Sequence, residues 1–189
     1  MIEGAIGTMA ILDNEDWGAT RIDCTLTPKD GDFILDGIKL QVNDAAVADI
    51  FIVLASANGV PTLVVVNASQ LPKGSISNKT LVDETKRASN VDFSGVTIKP
   101  DAILANGAEA LPDVRLIGAL LTAAEATGSA AAALDTIVDY LTTRKQFGRL
   151  IGSYQALKHP TVDILLQMDS ARTFIYHAAT LINDESLDK

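Results

Sequence analysis

Two histidines, one cysteine and scattered serines are the side chains that could bind a metal or attack a substrate, and their placement excludes most of that chemistry. His159 and His177 lie far apart, and the only cysteine, Cys24, falls in a different region, so no zinc-type spacing is present. Ser153 and Ser170 have no evident base, and no Gly-x-Ser-x-Gly occurs. No Gly-x-Gly-x-x-Gly follows a strand-like run, which leaves out a Rossmann nucleotide site. Nothing in this inventory forms a complete hydrolase or dehydrogenase site by itself. Arg144, Phe147 and Gln155, taken singly, have ordinary readings: a helix-end charge, a core aromatic and a capping amide. Glu125, a lone carboxylate in an apolar stretch, reads as a satisfied residue of a helix interface.

Elements must position these residues, and composition says the chain can build them. The 189 residues are 48% hydrophobic, enough for a sizeable core, and the net charge is −9. That acidity argues against a nucleic-acid partner, whose phosphates need a Lys/Arg patch. A single cysteine excludes an internal disulfide and fits a reducing, cytoplasmic setting. No basic segment precedes an apolar run near Met1, so no signal peptide is expected. The longest apolar stretch, Val114 to Leu134, is interrupted by Arg115 and Glu125 and filled with Ala, Gly, Ser and Thr. Charges near the centre of a spanning helix are costly, so the expectation is a buried helix of a soluble domain, with no membrane insertion.

The pattern changes near residue 110. Before it, short β-rich runs alternate with turns: Arg21–Thr27, the turn Pro28–Gly31, Phe33–Leu35, the turn Asp36-Gly37, Ile38–Val42, Asp49–Ser56, Asn58–Pro61, Thr62–Asn67, Lys79–Asp83, Ala88–Phe93 and Val96–Ile98. After Pro112 the chain reads as helix to about Thr143. A second helix follows, from Ser153 or nearer His159 to Asn183, with Leu157, Ile164, Leu165, Met168, Ala171, Phe174, Ile175 and Ala178 near a 3.6-residue period. The expected fold class is α+β: a small antiparallel β-barrel or sandwich (1–110), then a long antiparallel helix pair (111–189), a truncated four-helix bundle. Two long apolar-faced helices cannot bury themselves, so further helices or another subunit are implied. The last residues, Asn183 to Lys189, read as a frayed polar tail.

One stretch is more specific than its parts. It runs Tyr140, four residues, Arg144-Lys-Gln-Phe147-Gly148, then Ile151, Tyr154-Gln155, His159, Asp163, Ala171-Arg172 and Tyr176-His-Ala-Ala. This resembles the signature of the acyl-CoA dehydrogenase family over about forty residues at fixed spacing. The β region agrees: Gly31-Asp32-Phe33-Ile34-Leu35-Asp36-Gly37-Ile38-Lys39, Ala48-Asp49 and Val91-Asp92-Phe93-Ser94-Gly95-Val96 resemble family elements, so the likeness spans most of residues 19–181.

The resemblance implies a middle β domain and the first two helices of a C-terminal bundle, in a piece of a longer protein or a short subunit. It implies FAD as cofactor and an acyl-CoA as substrate, with a carboxylate base taking a proton from Cα and flavin receiving hydride from Cβ. By the same likeness Arg144, Phe147 and Gln155 contact the flavin of a neighbouring subunit, so a homo- or hetero-oligomer is expected through the helical domain. Arg115 corresponds to an Arg near the CoA chain. Two elements depart from the family. Its Trp-x-Thr is replaced by Gln41-Val42-Asn43, where Asn43 keeps a possible flavin hydrogen bond and the stacking aromatic is lost. Its Thr-Glu-Pro-x-x-Gly-Ser-Asp loop is replaced by Leu12-Asp13-Asn14-Glu15-Asp16-Trp17-Gly18-Ala19. These departures are similar to a divergent branch that includes the small subunit of pimeloyl-CoA dehydrogenase. Where some members carry a basic Glu at the start of the first bundle helix, Val114 stands, beside Asp113, so no catalytic residue is assigned.

Overall fold

The computed structural model describes residues 4–16 and 21–183, and the expectations on Trp17, Gly18, Ala19 and the tail from 184 fall outside it. The chain divides into two compact units, Met1–Ala110 and Leu111–Lys189. The fold class is the α+β arrangement expected, strands first and helices after.

In the first unit, β1 (Gly7–Ala10), β2 (Thr25–Lys29), β3 (Asp32–Asp36), β5 (Ile50–Ala57), β6 (Val60–Asn67) and β9 (Val96–Ile98) form one sheet. Its order is β1-β5-β2-β3-β9, with β6 also paired to β5. A second sheet has the order β4-β8-β7, from β4 (Ile38–Asn43), β7 (Ile76–Asn78) and β8 (Ala88–Asp92). Alternating apolar side chains from both sheets, among them Leu26, Leu35, Val42, Val53, Val66, Val91 and Ile98, meet in one core. Phe51 and Phe93 pack edge to face there, with ring centroids 5.8 Å apart.

The turns are tighter than the sequence reading has them. Pro28 and Lys29 belong to β2, and the turn is only Asp30-Gly31, with φ 51° and 89°. Val60 and Pro61 likewise belong to β6, leaving Asn58-Gly59 with φ 50° and 85°. Two residues at positive φ make type I′ turns, whose twist matches that of the strands they join. The strand expected over Lys79–Asp83 is not formed; pairing with β8 is made by Ile76–Asn78. Instead Asp83 curls the chain by accepting from the Thr85 amide and hydroxyl, which hold its carboxyl below its ordinary value.

The least expected core residue is Lys39. Its side chain is fully buried, with Nζ 2.8 Å from Asp13 Oδ1 and 3.2 Å from the Ile11 carbonyl oxygen. Asp13, only 3% exposed, also accepts from the Cys24 amide at 3.2 Å. One carboxylate thus ties the 11–16 loop to β4 and to the approach to β2. Beside this pair lies the buried thiol of Cys24. Burial pushes it up to about 11 from 9.0, against the opposing charge of Lys39 and with help from Asp13 and Asp36. The folded state therefore holds its proton more tightly than the unfolded chain. This contribution is intact below pH 9 and is lost as pH rises from 9 towards 11. Cys24→Ala should show a shallower alkaline loss of urea midpoint over that window than the parent protein. Equal slopes would contradict this account.

The second unit contains most of α1 (Gly107–Thr143), a hairpin of β10 (Lys145–Gln146) and β11 (Arg149–Leu150), and α2 (Gln155–Asn183). Both helices start earlier than their prolines indicate. Pro112 is the sixth residue of α1 and Pro160 the sixth of α2, so each removes one amide near the helix start without preventing the turns before it. The expected burial of residues 114–134 is not found. In α1 from Leu111 on, only Leu111 and Leu134 are buried, and Leu116 and Leu121 are exposed, because nothing in this unit covers that face. By length and composition alone α1 could cross a membrane. Along α2 the least exposed line is Met168, Ala171, Ile175, Ala178 and Ile182, whereas Leu157, Ile164, Leu165 and Phe174 are exposed.

Candidate functional site

Local charge singles out the link between the helices. In a chain of net charge −9, no carboxylate occurs from Tyr140 to Val162, while Arg144, Lys145, Arg149 and Lys158 all do. The structure folds the centre of this basic segment into a hairpin with Lys145 opposite Leu150 and Gln146 opposite Arg149. Arg144 starts it, its amide bonded to the Tyr140 carbonyl oxygen and its own carbonyl accepting from the Ile151 amide at 2.9 Å. Among the described residues its exposed guanidinium has no carboxylate partner.

The turn is Phe147-Gly148, with φ 52° and 76°. The backbone repeats Asp30-Gly31 and Asn58-Gly59, but a bulky aromatic occupies the position where those turns carry Asp and Asn. An L-residue there costs roughly 1–2 kcal/mol unless a short polar side chain offsets it. Phe147 is also 84% exposed, so burial in this chain does not repay that cost, and the reading of Phe147 as a core aromatic is corrected. The hairpin thus carries an exposed aromatic at a strained position and, at its start, an exposed guanidinium. Gln155 begins α2, exposed, directly after Tyr154.

The first unit contributes separately. Asn43 ends β4 and is exposed, and its backbone carbonyl accepts from the Thr8 hydroxyl at 2.6 Å. Before it, the register with β8 shifts between Lys39 and Val42. Gln41 bulges there at φ 50°, its amide donating to Asn90 Oδ1 at 3.3 Å. An open groove of about 620 Å³, lined by Val65, Asn67, Gln70, Thr97, Lys99 and Asp101 among others, contains none of the candidate residues. Part of its polar lining is self-satisfied: Gln70 accepts from the Asn67 amide and donates to the Thr97 carbonyl oxygen.

On α1, Arg115 and Asp113 are exposed and Val114 is half-buried. Glu125 is exposed as well, not held in a buried helix interface, since its face of α1 is solvated in this chain. Among the described residues no cluster of three or more His, Cys, Asp or Glu could hold a metal. The hairpin and the Lys39–Asp13 pair were both missed from sequence. A two-residue gap ending in Gly148 was the available signal for the hairpin, obscured by Phe at a position that normally carries Asn or Asp.

A two-sheet β unit followed by two long helices with a basic hairpin between them defines a recognisable class. Residues 116–189 match the family model for the acyl-CoA dehydrogenase C-terminal domain. The mitochondrial short/branched chain specific acyl-CoA dehydrogenase of Bos taurus is 30% identical over 172 residues, covering 84% of this chain and 39% of that protein. Acyl-CoA dehydrogenase IpdE2 of Mycolicibacterium smegmatis is 40% identical over 99 residues, 52% of this chain and 29% of that protein. The fold superposes on butyryl-CoA dehydrogenase from Megasphaera elsdenii with a TM-score of 0.81 at 24% identity, covering 93% of this chain and 49% of that one. The chain belongs to the acyl-CoA dehydrogenase family. It spans less than half the length of each of these three relatives.

Proposed function

We propose that this chain is part of an FAD-dependent acyl-CoA dehydrogenase and that its hairpin completes the flavin site of a neighbouring subunit. The observation that carries the reading is the acid-free basic segment whose turn holds an exposed aromatic at a strained backbone position. These residues suit an FAD. The Arg144 fork fits a pyrophosphate oxygen pair, the Phe147 ring offers an apolar face, and Gln155 offers a donor and an acceptor. On the β unit, Asn43 supplies an exposed amide for the ring edge. Arg115, exposed on α1, is assigned to the anionic CoA part of an acyl thioester. When bound, FAD supplies the acceptor for hydride leaving the acyl Cβ. The chain's own contribution is binding and orientation, since Val114 cannot take a proton from Cα. The apolar face of α1 is read as covered by protein helices rather than lipid, because the family match begins within it. A reducing cytoplasm suits a chain whose one cysteine is buried and free.

A second reading has its own observation. Gln41 stands where a flavin-shielding aromatic is expected and bulges from β4, which favours a subunit that completes a partner's flavin site without doing chemistry. FAD titration of the assembled protein, followed by quenching of flavin fluorescence, tests the common element. Arg144→Ala should weaken binding about 10- to 100-fold, the loss associated with a charge-assisted hydrogen bond. Phe147→Asn should weaken it too while raising the stability of the free chain by about 1 kcal/mol, because Asn tolerates positive φ and little burial is lost. No FAD bound by the assembled protein, or binding that Arg144→Ala leaves unchanged, would sink both readings. Oxidation of an acyl-CoA by the assembled protein, absent with this chain alone, would favour the first.

A further inference from the structure

We propose that Arg149 and Tyr154 are positioning residues that hold the 145–150 hairpin closed before any ligand arrives. The hairpin cannot be expected to hold itself. It has two residues per strand, every residue in it is exposed, and its turn carries the strained Phe147. Two-stranded hairpins in water are marginal even when longer.

One side chain outside the hairpin touches both strands. The Arg149 guanidinium, on β11, lies over the Tyr154 ring at 3.9 Å from its centroid. The Tyr154 hydroxyl donates to the carbonyl oxygen of Gln146, on β10, at 3.4 Å. The ring therefore bridges the two strands from the residue just before α2. Its base is fixed in turn. The Tyr154 amide donates to the Ile151 carbonyl oxygen at 3.1 Å, and the Ile151 amide donates to the Arg144 carbonyl oxygen at 2.9 Å. Gly152 lets this turn lie against the end of α1, since a Cβ there would be 2.7 Å from the Leu141 carbonyl oxygen. Arg149 thus acts through Tyr154 rather than on a ligand. A hairpin ordered in advance loses less freedom on binding, so Arg144 and Phe147 meet their ligand at lower entropic cost.

The consequence for binding rests on the flavin reading, while the closure itself does not, and the test separates them. Amide hydrogen exchange of residues 145–151 is measured on the free chain, and FAD affinity on the same variants in the assembled protein. Arg149→Gln and Tyr154→Leu should speed hairpin exchange about 2- to 5-fold and weaken FAD by a similar factor, as expected for an exposed cation–π contact. Arg149→Lys, which keeps a cation over the ring, should restore most of the protection. Tyr154→Phe should show only a small part of the loss. Unchanged exchange in both Arg149→Gln and Tyr154→Leu would overturn the proposal. So would an FAD affinity lowered by Arg149→Gln with exchange unaltered, which would make Arg149 a direct ligand contact. Exchange changes in the free chain, with no FAD bound by the assembled protein, support closure by this pair and refute the flavin reading alone.

Discussion

Asp13→Ala should lower the stability of the β unit by about 3–5 kcal/mol, because it leaves Lys39 buried and uncompensated. Lys39 has no exposed side-chain surface, and its remaining contact is the neutral Ile11 carbonyl oxygen at 3.2 Å. An ammonium cannot be held there by one carbonyl without a large desolvation cost. The Cys24 amide loses its acceptor in the same step. With an m-value of roughly 2 kcal/mol/M, the urea midpoint should fall by about 2 M. The pair need not be a net source of stability. Replacing both members with apolar residues, Asp13→Leu with Lys39→Met, should bring the midpoint back near that of the parent chain. If the double variant is no better than Asp13→Ala, the cost lies in the 11–16 loop rather than in a stranded charge.

The same pair shows where sequence reasoning runs short. Lys39 was legible as part of the Gly-x-Lys resemblance, and Asp13 as a replacement in the family's loop, but nothing in a linear pattern joins them. A lysine in an alternating strand is ordinarily an exposed residue. Only the curl of the loop onto β4 brings Asp13 within 2.8 Å of it. Strands bounded by a glycine turn, β3, β5 and β6, were legible almost to their ends. β1 was missed, since its four residues have no turn of their own and are held by parallel pairing to β5. The helices were legible in extent, but their burial was not, because a 3.6-residue apolar period predicts a covered face without saying which chain covers it. The basic hairpin was recognised by motif before its shape could be known. Its shape supplies what the motif lacked, namely a physical reason for Phe147 to be costly where it stands.

Gly37→Ala should be nearly as damaging as Asp13→Ala, at about 3 kcal/mol or more, although it adds a single methyl group. Sequence reading makes Asp36-Gly37 a hairpin turn between two neighbouring strands. In the structure it is where the chain leaves one sheet for the other, since β3 pairs with β2 and β9 while β4 pairs with β8. That change of direction sets Gly37 at φ 146°, a conformation L side chains rarely adopt. A Cβ would also lie 2.7 Å from Cys24 Cα and 3.0 Å from its Cβ. Strain and overlap each cost about 1–3 kcal/mol. Relief by shifting Cys24 is blocked on both sides, because its amide is held by Asp13 and its carbonyl oxygen accepts from the Ser56 amide at 2.8 Å. Gly37 itself is tied down by the Phe93 amide, 2.9 Å from its carbonyl oxygen. Urea unfolding of Gly37→Ala decides the matter. A loss under about 1 kcal/mol would mean that the backbone at Cys24 yields, and with it the claim that the Asp13–Lys39 pair fixes this corner. Cys24→Gly, which removes the side-chain overlap and leaves the backbone contact, should recover only part of the loss in the Gly37→Ala background.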